Sequence, residues 1–369
     1  MRVVLTGGGS GGHIYPALAI ARGLMAENPN HRILYIGTRH GLEHDLVPRA
    51  GISFRTIHAR GLLVKGWRGK IAGAGALAAG IRDAWSILRR ERPDVVVGTG
   101  GYVSGPVGLV ASWLKIPLVI QEQNAFPGLT NRTLARRAYA VVTPWEEARQ
   151  YFPSHTRVVL AGNPVQVTTT HTRESARVAL GLDPKIRVLM VTGGSQGAAA
   201  LNAWVTELLP ELHQATDWGI IWATGSRYYE TVKNAVDPVI GHLPPSRFRM
   251  EPYFYEIQTV YRAADLFVGR AGAMTIADCQ AFGVPAVLVP SPHVSENHQA
   301  KNASAIQARG AGLAIEEGQL VGQTGTILSL LRDTARLSTM QAAMQALYDP
   351  HALDRILATI NHAAGRRRS

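Results

Sequence analysis

Two glycine-rich turns, Gly7-Gly8-Gly9-Ser10-Gly11-Gly12-His13 and Gly193-Gly194-Ser195-Gln196-Gly197, begin 186 residues apart in a chain of 369. Each follows a short apolar run, Val3-Val4-Leu5 or Val188-Leu189-Met190-Val191, and each precedes a helix-like segment. Such runs fit buried parallel strands. Glycine after such a strand lets the chain turn sharply and aim free N–H groups at an anion. The pattern predicts an α/β protein of two Rossmann-like, doubly wound parallel-sheet domains facing a cleft. Length agrees, because 369 residues exceed what one hydrophobic core usually supports.

The charge is unevenly distributed. Residues 1–165 hold 20 Lys and Arg against 9 Asp and Glu, whereas residues 166–369 hold 18 against 17. Nucleic acid is not the expected partner of the basic half, since no aromatic RNA-binding signature, zinc-finger spacing or helix-turn-helix pattern is visible. An anionic membrane surface is. Between Gly61 and Trp85, Leu62, Leu63, Val64, Trp67, Ile71, Leu77 and Ile81 mix with Lys65, Arg68, Lys70 and Arg82, a composition suited to an interface. The alternative is a packed helix with a solvated basic edge. The uncharged stretch Val95–Leu114 carries five glycines and Pro106, so it reads as strand and loop, not as a spanning helix. A strand signal starting at Arg2 leaves no room for a signal peptide, and the lone Cys279 has no disulfide partner, which together predict a reducing cytosol.

Strand and helix signals alternate as right-handed βαβ units require. Strands are expected near 2–6, 33–37, 94–98, 117–121, 140–143 and 157–160, then near 187–192, 219–223, 248–250, 266–269 and 285–289. Gly162-Asn163-Pro164-Val165 marks the joint. Beyond about residue 325 only helix-forming sequence remains, broken at Asp349-Pro350, and the last helix, about 351–363, is expected to cross back. The domains therefore read as 1–164 plus 349–369 and 165–348. Gly365–Ser369, with Arg366, Arg367 and Arg368, reads as a loose basic tail.

Sites in doubly wound sheets lie outside the C-terminal ends of the strands. There the sequence places His13, Thr99-Gly100-Gly101-Tyr102 and Glu122-Gln123-Asn124 in the first half. The second half has Ser195, Arg270-Ala271-Gly272-Ala273-Met274-Thr275 and His298-Gln299. A helix opening near Gly272 suits a diphosphate. Asp278 could accept hydrogen bonds from ribose hydroxyls or merely complement the helix dipole. His13 could deprotonate a hydroxyl near neutral pH, donate to a phosphate, or be structural. Glu122 is the competing base, or else the anchor of its own loop.

Six motifs in register carry a resemblance. Gly8-Gly9-Ser10-Gly11-Gly12-His13, Gly100-Gly101-Tyr102-Val103-Ser104-Gly105-Pro106, Glu122-Gln123-Asn124, Gly162-Asn163-Pro164-Val165, Gly193-Gly194-Ser195-Gln196-Gly197 and Arg270-Ala271-Gly272-Ala273-Met274-Thr275 together resemble the MurG family of peptidoglycan N-acetylglucosaminyltransferases, from about residue 2 to 360. The resemblance implies a B-type glycosyltransferase fold without a cofactor, peripheral to the cytoplasmic face of the membrane. It implies transfer of N-acetylglucosamine from UDP-N-acetylglucosamine, with inversion, to the 4-hydroxyl of the muramic acid sugar of lipid I, giving lipid II.

By the same resemblance, Ser10, Gly11 and Gly12 line the donor sugar and diphosphate, and Asn124 reaches the transferred sugar. Ser195 sits by the nucleotide and Phe254 meets uracil through its backbone. Ala273, Met274, Thr275 and Asp278 hold the diphosphate and ribose, and Gln299 the sugar hydroxyls. His13 is the first choice of base and Glu122 the second. Two departures bear on the donor. Gln166 stands where the family usually has Arg after Gly-Asn-Pro-Val, a loss that Arg270 is a candidate to offset, and Asp278 stands where it usually has Glu.

No paired Asp-x-Asp motif lies in the candidate segments to hold a metal, and the helix end at Gly272 is expected to take charge on the leaving UDP. Two other readings stay open. Gly7-x-Gly9-x-x-Gly12 satisfies the dinucleotide fingerprint, but Gly37-Thr38-Arg39 stands where its acid belongs, so only an NADP oxidoreductase is left on that side. A non-catalytic nucleotide-sugar-binding module is the other.

Overall fold

A computed structural model of the chain describes residues 1–60, 67–194, 196–214, 217–240, 243–292 and 297–368, with backbone alone at 67–72, 74, 212, 213, 239 and 368. Contacts divide it into two units, Met1–Gln166 with Asp349–Ser369, and Val167–Tyr348.

The first unit is a seven-stranded parallel sheet of β1 (Arg2–Gly7), β2 (Arg32–Gly37), β3 (Ser53–Thr56), β4 (Val95–Gly100), β5 (Leu118–Gln121), β6 (Ala140–Thr143) and β7 (Val158–Leu160), ordered β3-β2-β1-β4-β5-β6-β7. The second is a six-stranded sheet of β8 (Arg187–Thr192), β9 (Trp218–Ala223), β10 (Phe248–Glu251), β11 (Leu266–Gly269), β12 (Ala286–Leu288) and β13 (Gly312–Ala314), ordered β10-β9-β8-β11-β12-β13. Both are doubly wound. The order reverses between β1 and β4 in one sheet and between β8 and β11 in the other, so each sheet has one switch point where a ligand crevice forms.

The central strands are buried on both faces, which is why they read as continuous apolar runs. β4, β5, β6 and β9 have no exposed residue. Val3, Leu5, Tyr35, Val95 and Val119 share one core with Ile14 and Leu18 of the Gly11–Glu27 helix and with Leu353, Ile356 and Ile360 of the Ala352–Arg368 helix. That last helix thus completes the first unit. It is tied at its start by Asp349, whose carboxylate accepts the Gly162 N–H at 3.1 Å and pairs with Arg355.

The structure departs from the sequence expectation in three places. The edge strands β3 and β13 went unread because Ser53-Phe54-Arg55-Thr56 and Gly312-Leu313-Ala314 are too short or too polar to show an apolar run. The basic tail is not loose: the helix runs to Arg368. Arg366 lies over the Tyr139 ring at 5.4 Å and Arg367 donates to the Pro93 carbonyl, and cation–π contact and a carbonyl acceptor hold the turn in place. Val95–Leu114 divides into β4 and the helix Ser104–Trp113. Among the described residues no helix is long and apolar enough to cross a membrane.

Candidate functional site

In the first unit the loops after β1 and β4 meet at the switch point, and glycine is what lets them meet. Gly9, Gly100 and Gly101 have φ of +86°, +107° and +78°, a region that side chains disfavour. A Cβ on Gly101 would lie 2.2 Å from the Gly8 carbonyl oxygen, and one on Gly100 would lie 2.9 Å from the His13 ring. The Gly11–Glu27 helix starts here with Ser10 as its cap, and the Ser10 side chain makes no capping bond. Its first N–H groups, those of Gly11 and Gly12 included, have no partner within the helix.

His13 is half-buried, and its environment fixes its chemistry. Nδ1 lies 3.0 Å from the Thr99 carbonyl oxygen and 3.2 Å from Gln123 Oε1. The Gln123 amide orientation is itself set, because its Nε2 donates to the Thr99 and Gln121 carbonyls, both at 2.9 Å. Nδ1 therefore faces two acceptors and must carry the proton. That tautomer leaves Nε2 unprotonated, the form a general base needs. Nothing in Glu122-Gln123-Asn124 marks Gln123 for this role.

Glu122 is arranged differently. It is 1% exposed and its two oxygens accept four hydrogen bonds, from the Asn124 N–H (2.9 Å) and Nδ2 (3.1 Å), the Gly128 N–H (3.1 Å) and Asn131 Nδ2 (2.8 Å). Of the two readings of this residue, anchor of its loop is the one this geometry favours. Asn124, half-buried, is held by that anchor at the loop's rim. Gln121 donates to Asn163 Oδ1 at 3.0 Å, and Asn163 Nδ2 to the Gln123 carbonyl at 3.2 Å, so the Asn of Gly-Asn-Pro-Val braces the same loop. Gln166 is exposed, at the end of the first unit.

A second buried carboxylate was missed by the sequence reading. Glu43, fully buried, accepts from Thr38 Oγ1 (2.7 Å), the Thr38 N–H (3.1 Å) and the Gly9 N–H (3.3 Å). It pins the glycine loop from beneath. Nothing in Gly41-Leu42-Glu43 distinguishes it from a surface acid.

In the second unit the corresponding loops follow β8 and β11. Gly194 and Gly197 have φ of +84° and +75°; Ser195 lies outside the described residues. After β11, Gly272 caps the helix Ala273–Phe282 without a side-chain bond, so the N–H groups of Ala273, Met274 and Thr275 open the helix with no intrahelical partner. Arg270 is committed elsewhere. It pairs with Glu317 and donates to the Val289 and Pro290 carbonyls at 3.2 and 3.3 Å. It is a strut for the loop after β12, not the replacement cation that Gln166 called for.

Gln299 Oε1 accepts the Ser291 N–H at 2.8 Å, so its NH₂ group is what it offers a ligand. The Phe254 side chain is buried, which leaves its backbone as the ligand-facing part. Among the described residues, no group of three or more His, Cys, Asp or Glu is placed to hold a metal.

Asp278 lies one turn into the Ala273–Phe282 helix. No donor among the described residues bonds its carboxyl, and burial pushes its pKa up to about 7 from 3.8. The folded form thus keeps its proton where the unfolded form has lost it, so stability falls as pH rises from about 4 to about 7 and stays low above that. Asp278→Asn, which removes the charge, is expected to match the parent at pH 4 and to be more stable by about 2 kcal/mol at pH 8. Melting curves at both pH values check this; an identical pH dependence in the two proteins would refute it.

Two successive doubly wound parallel domains, each with a glycine-rich loop at its switch point, make up the B-type glycosyltransferase fold. Residues 3–143 match the glycosyltransferase family 28 N-terminal domain and residues 188–356 the family 28 C-terminal domain. The chain is 43% identical over 355 residues, 95% of its length and 93% of the relative's, to the UDP-N-acetylglucosamine–N-acetylmuramyl-(pentapeptide) pyrophosphoryl-undecaprenol N-acetylglucosamine transferase of Symbiobacterium thermophilum. It is 43% identical to the transferase of the same name from Moorella thermoacetica, over 98% of both chains. The crystal structure of Acinetobacter baumannii MurG superposes with a TM-score of 0.74 at 26% identity, covering 98% of this chain and 99% of that one. The chain belongs to glycosyltransferase family 28 and, within it, to the MurG family. The oxidoreductase and non-catalytic readings fall away with that membership.

Proposed function

We infer that the protein transfers N-acetylglucosamine from UDP-N-acetylglucosamine to the 4-hydroxyl of the muramic acid sugar of lipid I, forming lipid II with inversion. The observation that carries this reading is the full-length identity to transferases of that name. The His13 arrangement supports the chemistry. His13 Nε2 takes the acceptor hydroxyl proton, the oxygen attacks the sugar C1 from the face opposite UDP, and the C1–O bond to the diphosphate breaks. The open N–H groups at Ala273–Thr275 and the helix dipole stabilise the charge on the departing UDP. The Ser10–Gly12 segment and Asn124 meet the donor sugar, the Phe254 backbone meets uracil, Asp278 the ribose and Gln299 the sugar hydroxyls. Glu122 holds the loop that carries Asn124.

The test is transfer of labelled N-acetylglucosamine to a soluble lipid I analogue, with UDP-glucose and a no-acceptor reaction alongside. Acceptor-dependent transfer from the N-acetylglucosamine donor is expected. Tight UDP binding without transfer would overturn the reading and point to Gln166 and Asp278 as marks of a diverged function.

The basic first unit acts at an anionic membrane surface from the cytoplasmic side. Supporting this, Trp113 is 50% exposed and Arg82 projects into solvent, on two helices, Trp67–Glu91 and Ser104–Trp113, that pack together. Of the apolar and basic residues read from 61 to 85, those from 61 to 66 lie outside the described residues, as do the side chains of Trp67, Arg68, Lys70 and Ile71. The full chain is expected to sediment with phosphatidylglycerol vesicles and to be released by high salt. Equal sedimentation with neutral vesicles would remove the electrostatic part.

A further inference from the structure

The β1 and β2 strands begin with arginines, and the register sets them side by side: Arg2 is the Cα partner of Arg32. Arg55 of β3 pairs with Ile36, four residues on from Arg32. By the two-residue period of a strand, Arg2, Arg32 and Arg55 all project from the same face of the sheet. Arg90, from the last turn of the Trp67–Glu91 helix, joins them. The four line one hollow of about 730 Å³. An adjoining hollow of about 520 Å³ shares Arg2 and Arg32.

Like charges placed directly across strands are destabilising, and an acceptor normally offsets them. Here none does. Among the described residues no carboxylate or carbonyl bonds any of the four guanidinium groups, whereas Arg177, Arg187, Arg247 and Arg270 each have one. Asp94, at the edge, accepts the Arg2 backbone N–H at 2.7 Å, and Glu91 is the other acid of the lining. The dipole at a helix C-terminus accounts for Arg90, but Arg2, Arg32 and Arg55 stand on strands.

We propose that this hollow is a second anion site, for a phosphate-bearing group, at the end of the first sheet opposite the substrate loops. Forked guanidinium donors match phosphate oxygens two at a time, and the volume lies in the range of small-molecule sites. β1 has Arg2 at one end and Gly7 at the other, which sets the Arg2–Arg32 pair about 17 Å from the glycine loop, while Arg55, level with Thr6 through Ile36, forms the near edge of the hollow. The occupant is a soluble phosphorylated molecule or the head group of an anionic lipid, which present the same chemistry.

The probe is inorganic diphosphate, titrated calorimetrically into the full chain at low salt with saturating UDP present, so that the helix ends of the second unit are already occupied. The expected result is binding that Arg32→Ser/Arg55→Ser weakens at least 10-fold and that high salt weakens in the parent, while transfer activity with soluble acceptor and the melting temperature hold. Loss of phosphatidylglycerol vesicle binding along with diphosphate binding assigns the site to lipid head groups; intact vesicle binding assigns it to soluble phosphates. No diphosphate binding by the parent, or equal binding by the double variant, overturns the proposal.

Discussion

His13→Ala lowers kcat by about 10²–10⁴-fold, the usual contribution of a positioned general base, while the Kd for UDP changes less than about 2-fold. The argument rests on the tautomer. Thr99 and Gln123 accept from Nδ1 at 3.0 and 3.2 Å, which directs the unprotonated nitrogen to the other side of the ring. Removing the imidazole deletes that lone pair but none of the N–H groups proposed above to meet the diphosphate. The acid limb of the kcat/KM profile, which reports protonation of the base, should vanish with it. A variant with unchanged turnover would eliminate His13 as base. Gln123→Leu offers a milder check: Nδ1 keeps Thr99, so a smaller loss of kcat is expected, with UDP binding intact.

Glu122→Ala is the second large effect, and it appears first as stability. Four donors converge on this buried carboxylate, and stranding buried donors costs about 1–3 kcal/mol each. One of the four, Asn131 Nδ2, is buried and cannot turn to water. A loss of about 4 kcal/mol is expected in denaturant unfolding of the full chain. Turnover falls too, because Asn124 loses its anchor. Glu122→Gln separates the anchor from a base: it retains one acceptor oxygen and should recover part of both stability and kcat. If Glu122→Gln proved as stable as the parent yet wholly inactive, with the His13 variant still active, the roles assigned to the two residues would be reversed.

Much of the fold was legible. The central strands are apolar because both of their faces are buried, and the glycine turns after β1 and β8 are local stereochemistry. The edge strands β3 and β13 were not legible, since three or four residues paired on one side carry little pattern. Of the site, the positions of His13, Glu122 and Asp278 just beyond strand ends or in the first turns of a helix could be read from order along the chain. Their states could not. Arg270 looked like a cation in reserve until the structure paired it with Glu317, 47 residues away. Glu43 looked like any surface acid until Thr38 and the Gly9 N–H, 34 residues distant, closed on it. The arginine tail looked solvated because Tyr139 and Pro93 are remote in sequence.

Two doubly wound domains, each with a glycine-rich loop after its first strand, follow from local sequence, because strand period, glycine conformation and helix opening depend on neighbours a few residues away. Long-range packing, by contrast, sets which nitrogen of His13 carries the proton, makes Glu122 the anchor of its loop, and through burial pushes the Asp278 pKa up to about 7. Those properties depend on dielectric surroundings and on hydrogen bonds spanning 86 and 110 residues. Only packing brings such partners together, and no local pattern encodes them.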